Sequence, residues 1–169
     1  MRPLLRNAKG QSIVEITLIT PLILVALYVP FDFGVSIFTG HLVQIATRDG
    51  ARRAATTDEM DNSKAETLAT AIHGNLPEFL ASKQVTVNYY AAGAAECAQY
   101  VEVIAQGTYN FFWYRFVALL GFTPPDPAVI ARTTRVRYEY QPDRYGGQSG
   151  STTTFCSGAA TASFTYPAS

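Results

Sequence analysis

Histidine, cysteine and charge are all scarce in this chain. The only histidines are His41 and His73, and the only cysteines are Cys97 and Cys156. They are too few and too far apart for a zinc or redox motif, so no metal site is expected. Charged residues are 15% of the 169, below the roughly 25% of a typical soluble domain, which excludes a disordered or polyelectrolyte chain. The formal net charge is zero, which removes the basic field that a dedicated nucleic-acid binder needs. Enzyme signatures are missing too: there is no G-x-S-x-G, G-x-G-x-x-G, P-loop, H-E-x-x-H or C-x-x-C. Gly147-Gln148-Ser149-Gly150 imitates a nucleophile elbow only superficially, inside a Gly/Ser-rich tail. His41 abuts an apolar stretch and His73 lies on a helix near a glycine, so both read as surface or packing residues. No catalytic residue, cofactor or small-molecule substrate is expected. The length allows one ordinary domain with an appended element.

What is present is unevenly placed. Ile16 to Phe31, sixteen residues, carries no charge, and three cations (Arg2, Arg6, Lys9) precede it. Asp32 interrupts the run, but the chain stays apolar through Thr39. As a helix, Ile16–Thr39 spans about 36 Å at about 1.5 Å per residue, more than the roughly 30 Å hydrocarbon core of a bilayer. A core helix would show a polar face, and here only Thr17, Thr20 and Tyr28 interrupt the apolar side chains up to Phe31. A cleaved signal peptide is the competing reading. Against it, the run is long and the nearest small-x-small site, Gly34-Val35-Ser36, follows Asp32 and bulky Phe33. The stretch therefore reads as a membrane-spanning helix.

Two of its features need a reason. Glu15 opens the apolar run, where an unpaired carboxylate in low dielectric is expensive unless neutralised; the simpler account is a helix amino terminus among headgroups. Pro21 and Pro30 each remove a backbone N–H. A neighbouring helix or a hydroxyl such as that of Thr17 is expected to re-satisfy the backbone.

Gly10-Gln11-Ser12-Ile13-Val14-Glu15, continuing to Thr17 and Pro21-Leu22-Ile23-Leu24, resembles the amino terminus of TadE-like minor pseudopilins. These belong to the tight-adherence (Tad/Flp) pilus, a branch of the type IV pilus superfamily. The likeness runs on through Phe31-Asp32-Phe33-Gly34, where that family usually has Glu for Asp32. It returns at Thr47-Arg48-Asp49-Gly50-Ala51-Arg52-Arg53-Ala54-Ala55. Ala131 to Arg137 is only loosely similar to the family's final strand, and the tail beyond about Gln141 has no counterpart. The resemblance implies cutting by a prepilin-type aspartic peptidase between Gly10 and Gln11. It also implies a role for Glu15, fifth in the mature chain, in neutralising the new amino terminus of a neighbouring subunit during assembly. Removing the three leader cations leaves 10 of the 13 basic residues against 13 acidic ones, a formal −3.

Orientation follows less from charge than from cysteine. Arg2, Arg6, Lys9 and the α-amino group stand on one side, against Arg48, Arg52 and Arg53 on the other, which barely decides. Cys97 and Cys156 both follow the apolar run, and a lone pair in a translocated domain reads as one disulfide in an oxidising compartment. Its loop of about 60 residues would contribute on the order of 4 kcal/mol on the chain-entropy model. Two unrelated buried thiols are the alternative. The amino terminus is thus expected in the cytoplasm, with residues from about 40 onward in the periplasm.

The expected fold is α+β: a long amino-terminal membrane helix followed by a small domain of helix plus antiparallel sheet. Residues 1–10 are a basic leader, 11–56 the helix and its extension, 57–140 the exported domain and 141–169 a Gly/Ser/Thr-rich tail. Asp49 and Arg53, four apart, should form a weak ion pair, and Gly50 should permit close helix packing or a bend. Ser63-Lys64-Ala65-Glu66 has capping-box spacing. A helix with Leu68, Ile72, Leu76, Phe79 and Leu80 follows, split by Gly74 and Pro77. Alternation marks three strands: Val85 to Tyr89, Val101 to Phe111 and Thr134 to Tyr140. The tail reads either as a flexible linker or as a hairpin of Thr152–Cys156 and Thr161–Tyr166 that Cys156 fastens to the domain. The aromatic stretch around Trp113, Tyr114 and Phe116 reads first as packing of a strand end and short helix. Its second reading is an exposed surface for a partner subunit or the membrane interface.

The expected function is structural: a minor pilin or pseudopilin in the bacterial inner membrane, and after assembly in the pilus. Its partners would be the membrane, the prepilin-type peptidase, other pilus subunits and the assembly platform. An anchored periplasmic enzyme or sensor that only borrows this helix is the alternative.

Overall fold

A computed structural model of the chain describes residues 8–58, 60–90, 99–112, 118, 121, 123, 126–138 and 160–167, with side chains from residue 13 onward. The fold is α+β, a long apolar helix followed by a small domain of one helix and a four-stranded antiparallel sheet. The elements are α1 (Ala8–Ala55), α2 (Asn62–Gly74), β1 (Leu80–Tyr90), β2 (Tyr100–Tyr109), β3 (Ala128–Arg137) and β4 (Ala162–Tyr166). The chain divides into two compact units. One comprises Met1–Ser36 with Phe111–Asp126; the other comprises Ile37–Asn110 with Pro127–Ser169.

In the first unit α1 is continuous through Pro21 and Pro30. The Thr17 hydroxyl donates to the Ile13 carbonyl at 2.7 Å, one turn back. It therefore does not serve the Thr17 carbonyl that Pro21 leaves without an N–H, contrary to the role expected of it. Most side chains here face outward, among them Leu18, Leu22 and Leu27. Asp32 is the exception, at 1% exposure. Phe111 is buried and its ring meets Phe33 at 5.1 Å between centroids.

The second unit is built on the sheet, ordered β3-β2-β1-β4 with every pair antiparallel. Val85, Val87, Val101, Val103, Ala105 and Ile130 form the enclosed face. The last four turns of α1 lie against this face. Thr39, Val43, Thr47, Ala51 and Ala54 are fully buried, recurring every three or four residues as a helical face requires. Thr134 donates to the Thr47 hydroxyl at 3.1 Å, tying α1 to β3. A Cβ on Gly50 would overlap the Ile72 side chain, coming within 2.6 Å of its Cγ1. Gly50 thus marks close packing of α1 on α2 rather than a bend. The second helix also packs on β1 and β4.

Several boundaries differ from the sequence reading. The amino-terminal cap of α2 is Asp61, whose carboxylate accepts from the Lys64 N–H at 2.7 Å. A cap two residues earlier replaces the Ser63 box, because an aspartate at that position satisfies the free N–H and favours the dipole. The second helix ends at Gly74 with Asn75 as its cap, so Phe79 and Leu80 are not helical. Leu80 begins β1, which is therefore longer than Val85–Tyr89. The register shifts between Ala81 and Gln84, and Ser82 takes a left-handed φ of 50°. Such a bulge resets the alternation, which is why Leu80 and Val85 are both buried. Phe111 lies beyond the end of β2, and β3 starts at Ala128 rather than Thr134. The expected tail strand exists as β4, but it pairs with β1; Thr152–Cys156 lies outside the described residues.

On the face away from the helices, a polar row crosses the sheet. Ser163 donates to Asn88 at 2.6 Å, and Arg135 donates to the buried Glu102 at 2.7 Å. Asn88 and Tyr90 also donate to Glu102, at 3.5 and 3.4 Å. Buried carboxylates need such partners, and here the partners are all structural.

Candidate membrane and assembly surface

The residues singled out in the sequence fall mainly on α1. Gly10 and Gln11 lie near the start of its described residues. Glu15 follows one turn later, exposed between exposed Val14 and Ile16. It has no hydrogen bond or ion pair to any described residue. From Ile13 to Ala55 the helix contains a stretch long and apolar enough to cross a membrane, and none of that stretch is enclosed by the rest of the chain. A core helix would be covered, whereas this one leaves Ile13, Ile16, Leu18, Leu22, Ile23, Leu27 and Phe31 more than half exposed. Exposed apolar surface of this extent marks a lipid or protein contact. The helix is consistent with a single-pass membrane protein.

Farther along, the polar groups sort by side. Arg48 and Arg52 are exposed, and Arg53 pairs with Asp49 at 2.8 Å, both more than half exposed. The expected i,i+4 pair is present, at the few tenths of a kcal/mol that exposed pairs give. Between them run Gly50, Ala51, Ala54 and Ala55, all buried. The Arg-Asp-Gly-Ala-Arg block thus turns its small residues inward and its charges outward.

His41 is exposed. His73 stacks on Tyr166 of β4, ring centroids 4.2 Å apart, as a packing histidine should. Burial, and then the Lys83 ammonium, hold its pKa below the usual histidine value. Among the described residues no group of His, Cys, Asp and Glu is placed to hold a metal ion. Cys97, Cys156, Trp113, Tyr114 and Phe116 lie outside the described residues. At the edge of the aromatic stretch, Phe111 is buried and Phe112 is 62% exposed, so its first two residues divide between the two readings.

Sequence reasoning missed two features. The near-complete burial of Asp32 had no signal beyond its place in an apolar run. The small-residue stripe from Thr39 to Ala54 was visible as a three-four spacing inside a region otherwise dominated by its apolar length.

Residues 10–52 match a family model described as TadE-like protein. The match falls wholly within α1, on the stretch where the sequence resembles that family, and it points to a Tad-pilus-associated protein. No curated protein and no solved structure matches the chain.

Proposed function

We propose that the protein is a minor pilin or pseudopilin, anchored by α1, that takes part in the assembly or structure of a Tad-type pilus used for surface adhesion. The observation that carries this reading is the division of α1. Its amino half is apolar and uncovered, and its carboxyl half is the spine of a small α+β domain. A helix so built is held by lipid before assembly and by neighbouring helices afterwards. The family match over 10–52 supports the same reading.

In this account a prepilin-type peptidase cuts between Gly10 and Gln11 on the cytoplasmic side, freeing the helix of its basic leader. Glu15 then pairs with the ammonium group of an adjacent subunit, a favourable exchange for a carboxylate that is costly alone at the membrane boundary. The α+β domain lies in the periplasm, where Cys97 and Cys156 bond. Topology supports that pairing. Tyr90 pairs with Tyr100 and Tyr89 with Ala162, so β1 ends where β2 and β4 begin. Cys97 is three residues before Tyr100 and Cys156 six before Ala162, which tethers both within about 20 Å of one end of the sheet.

Glu15→Ala tests the assembly role. The variant should stay in the membrane fraction and be lost from purified pili. Normal incorporation into pili would overturn the pairing.

A further inference from the structure

We propose that the α+β domain is seated directly on the lipid headgroups of the bilayer that α1 crosses. The rim formed by Val129, Phe79 and the Ile37–Phe38 turn of α1 meets the bilayer, and Arg132 meets phosphate. This rests on the reading of α1 as a membrane anchor. Two contacts set β3 in step with α1. A Cβ on Gly40 would stand 3.2 Å from the Arg132 guanidinium and 4.0 Å from the Ile130 side chain, and Thr134 meets Thr47 at 3.1 Å. Both elements therefore advance in the same direction, about 13 Å from Ile130 to Thr134 and about 11 Å from Gly40 to Thr47. The start of β3 is thus the end of the sheet that points toward the amino terminus of α1. Pairing brings two more residues to this end, since Ala128 lies opposite Tyr109 and Tyr109 opposite Leu80.

Helix length sets the rim against the membrane boundary. The charge-free run starts at Ile16, and about 30 Å of hydrocarbon takes about 20 helical residues, which end near Val35. The domain already encloses Thr39 and Gly40. Only about 6 Å of helix separates the two points, no more than the depth of a headgroup layer, so there is no stalk between bilayer and sheet. Val129 stands about 7 Å nearer the amino end of α1 than the middle of the Gly40 contact, at the boundary itself. The side chains suit that position. Val129 is 73% exposed, Ile37 65%, Phe38 58% and Phe79 51%, and Phe79 stands edge-on to Tyr109 with 6.4 Å between centroids. Such a rim is costly in water and favourable at a lipid surface. Arg132 is exposed and donates to the Ala131 carbonyl at 3.0 Å. It pairs with no carboxylate among the described residues, the exposed Glu78 beside Phe79 included. Its guanidinium is therefore available to a phosphate.

The chain has a single tryptophan, Trp113, so a reporter can be moved along β3 in a Trp113→Phe background. Val129→Trp and Thr133→Trp place it at exposed positions on one face of the same strand, about 13 Å apart. The full-length variants are reconstituted in phosphatidylethanolamine–phosphatidylglycerol vesicles with and without a nitroxide on the lipid headgroup. Val129→Trp should lose most of its emission to the nitroxide and Thr133→Trp little. Little loss at both positions would overturn the proposal, because the domain would then stand away from the bilayer or carry a protein partner on this rim. Equal, large loss at both would overturn it as well, because the sheet would then lie flat on the membrane. Adding Arg132→Gln should reduce the loss at Val129→Trp, and an unchanged loss would refute the part given to Arg132. If Trp113→Phe disturbs folding, the same two substitutions are read as differences from the unaltered protein. Alkaline extraction separates this inference from the anchor it rests on. A protein that resists extraction but keeps Val129→Trp unquenched refutes only this inference, whereas one that washes off refutes the membrane anchor as well.

Discussion

Between Ile13 and Ser36, α1 turns almost every side chain outward, whereas between Thr39 and Ala55 every third or fourth residue is enclosed. The helix is continuous across that change, so backbone geometry is not what distinguishes its halves. The amino half contains two prolines and is open on nearly every side, which is consistent with a hydrocarbon surrounding that asks only for apolarity. The carboxyl half narrows to glycine, alanine and threonine on one side, because a sheet and a second helix ask for shape. One helix thus answers two solvents.

The largest effect should come from placing a charge where the two halves differ most. Leu27 and Ile45 are equally open, at 62% and 63% exposure. Leu27→Arg should lower membrane retention by about 2.5–3.5 kcal/mol of insertion free energy, measured as the fraction resisting alkaline extraction. Ile45→Arg should change the stability of the folded domain by no more than about 0.5 kcal/mol. Equal tolerance of both would erase the distinction.

Tyr138 pins the point where the enclosed half ends. Its hydroxyl donates to the Thr57 carbonyl and accepts from the Met60 N–H, the latter at 3.3 Å. Tyr138→Phe leaves both groups without this partner and should destabilise the domain by about 1–3 kcal/mol, read from thermal melts of the full chain in detergent. A change within error would mean that water replaces the phenol.

Glycine offers the sharpest internal control. At Gly34 nothing lies within 4 Å of where an alanine methyl would sit, whereas at Gly50 that place meets the Ile72 side chain, itself 3% exposed. Alanine improves helix propensity by about 1 kcal/mol at either site. At Gly50 the overlap should cost about 1–3 kcal/mol, so Gly50→Ala is expected to lower the melting temperature of the domain and Gly34→Ala to leave it unchanged or raised.

The smallest effect is pH-dependent and confined to the enclosed side. The folded protein holds the pKa of His73 below the ordinary value, so the unfolded chain binds more protons as the medium turns acidic. Stability from this source is complete above the ordinary histidine pKa of about 6.5 and is lost as pH falls from there toward the lowered value. His73→Gln should flatten the fall in melting temperature between about pH 7 and pH 5. An unchanged slope would remove His73 as its cause.

The amino half was legible in the sequence because its signal is additive: charge is absent for sixteen residues, and nothing else in the chain needs to be known. The strand Tyr100–Tyr109 was legible for a similar reason, since Val101, Val103 and Ala105 alternate without interruption. The start of β1 was not, because the bulge at Ser82 breaks the period of two. The first half of β3 was hidden too: Ala128, Val129, Ile130 and Ala131 are all apolar, although only Ile130 is buried. Composition there cannot tell one face from the other. At the candidate site, Gly10, Gln11 and Glu15 were readable as a local motif. The pinning by Tyr138 depends on contacts across more than 70 residues, which no local pattern carries, and the burial of Asp32 has no signal in the residues around it.

The claim on which the rest depends is that α1 enters a pilus as the amino terminus of a processed subunit. Mass spectrometry of the protein recovered from purified pili measures this directly. A chain beginning at Gln11 is the expected result; a protein that keeps Met1 to Gly10 and is absent from the pili would contradict it.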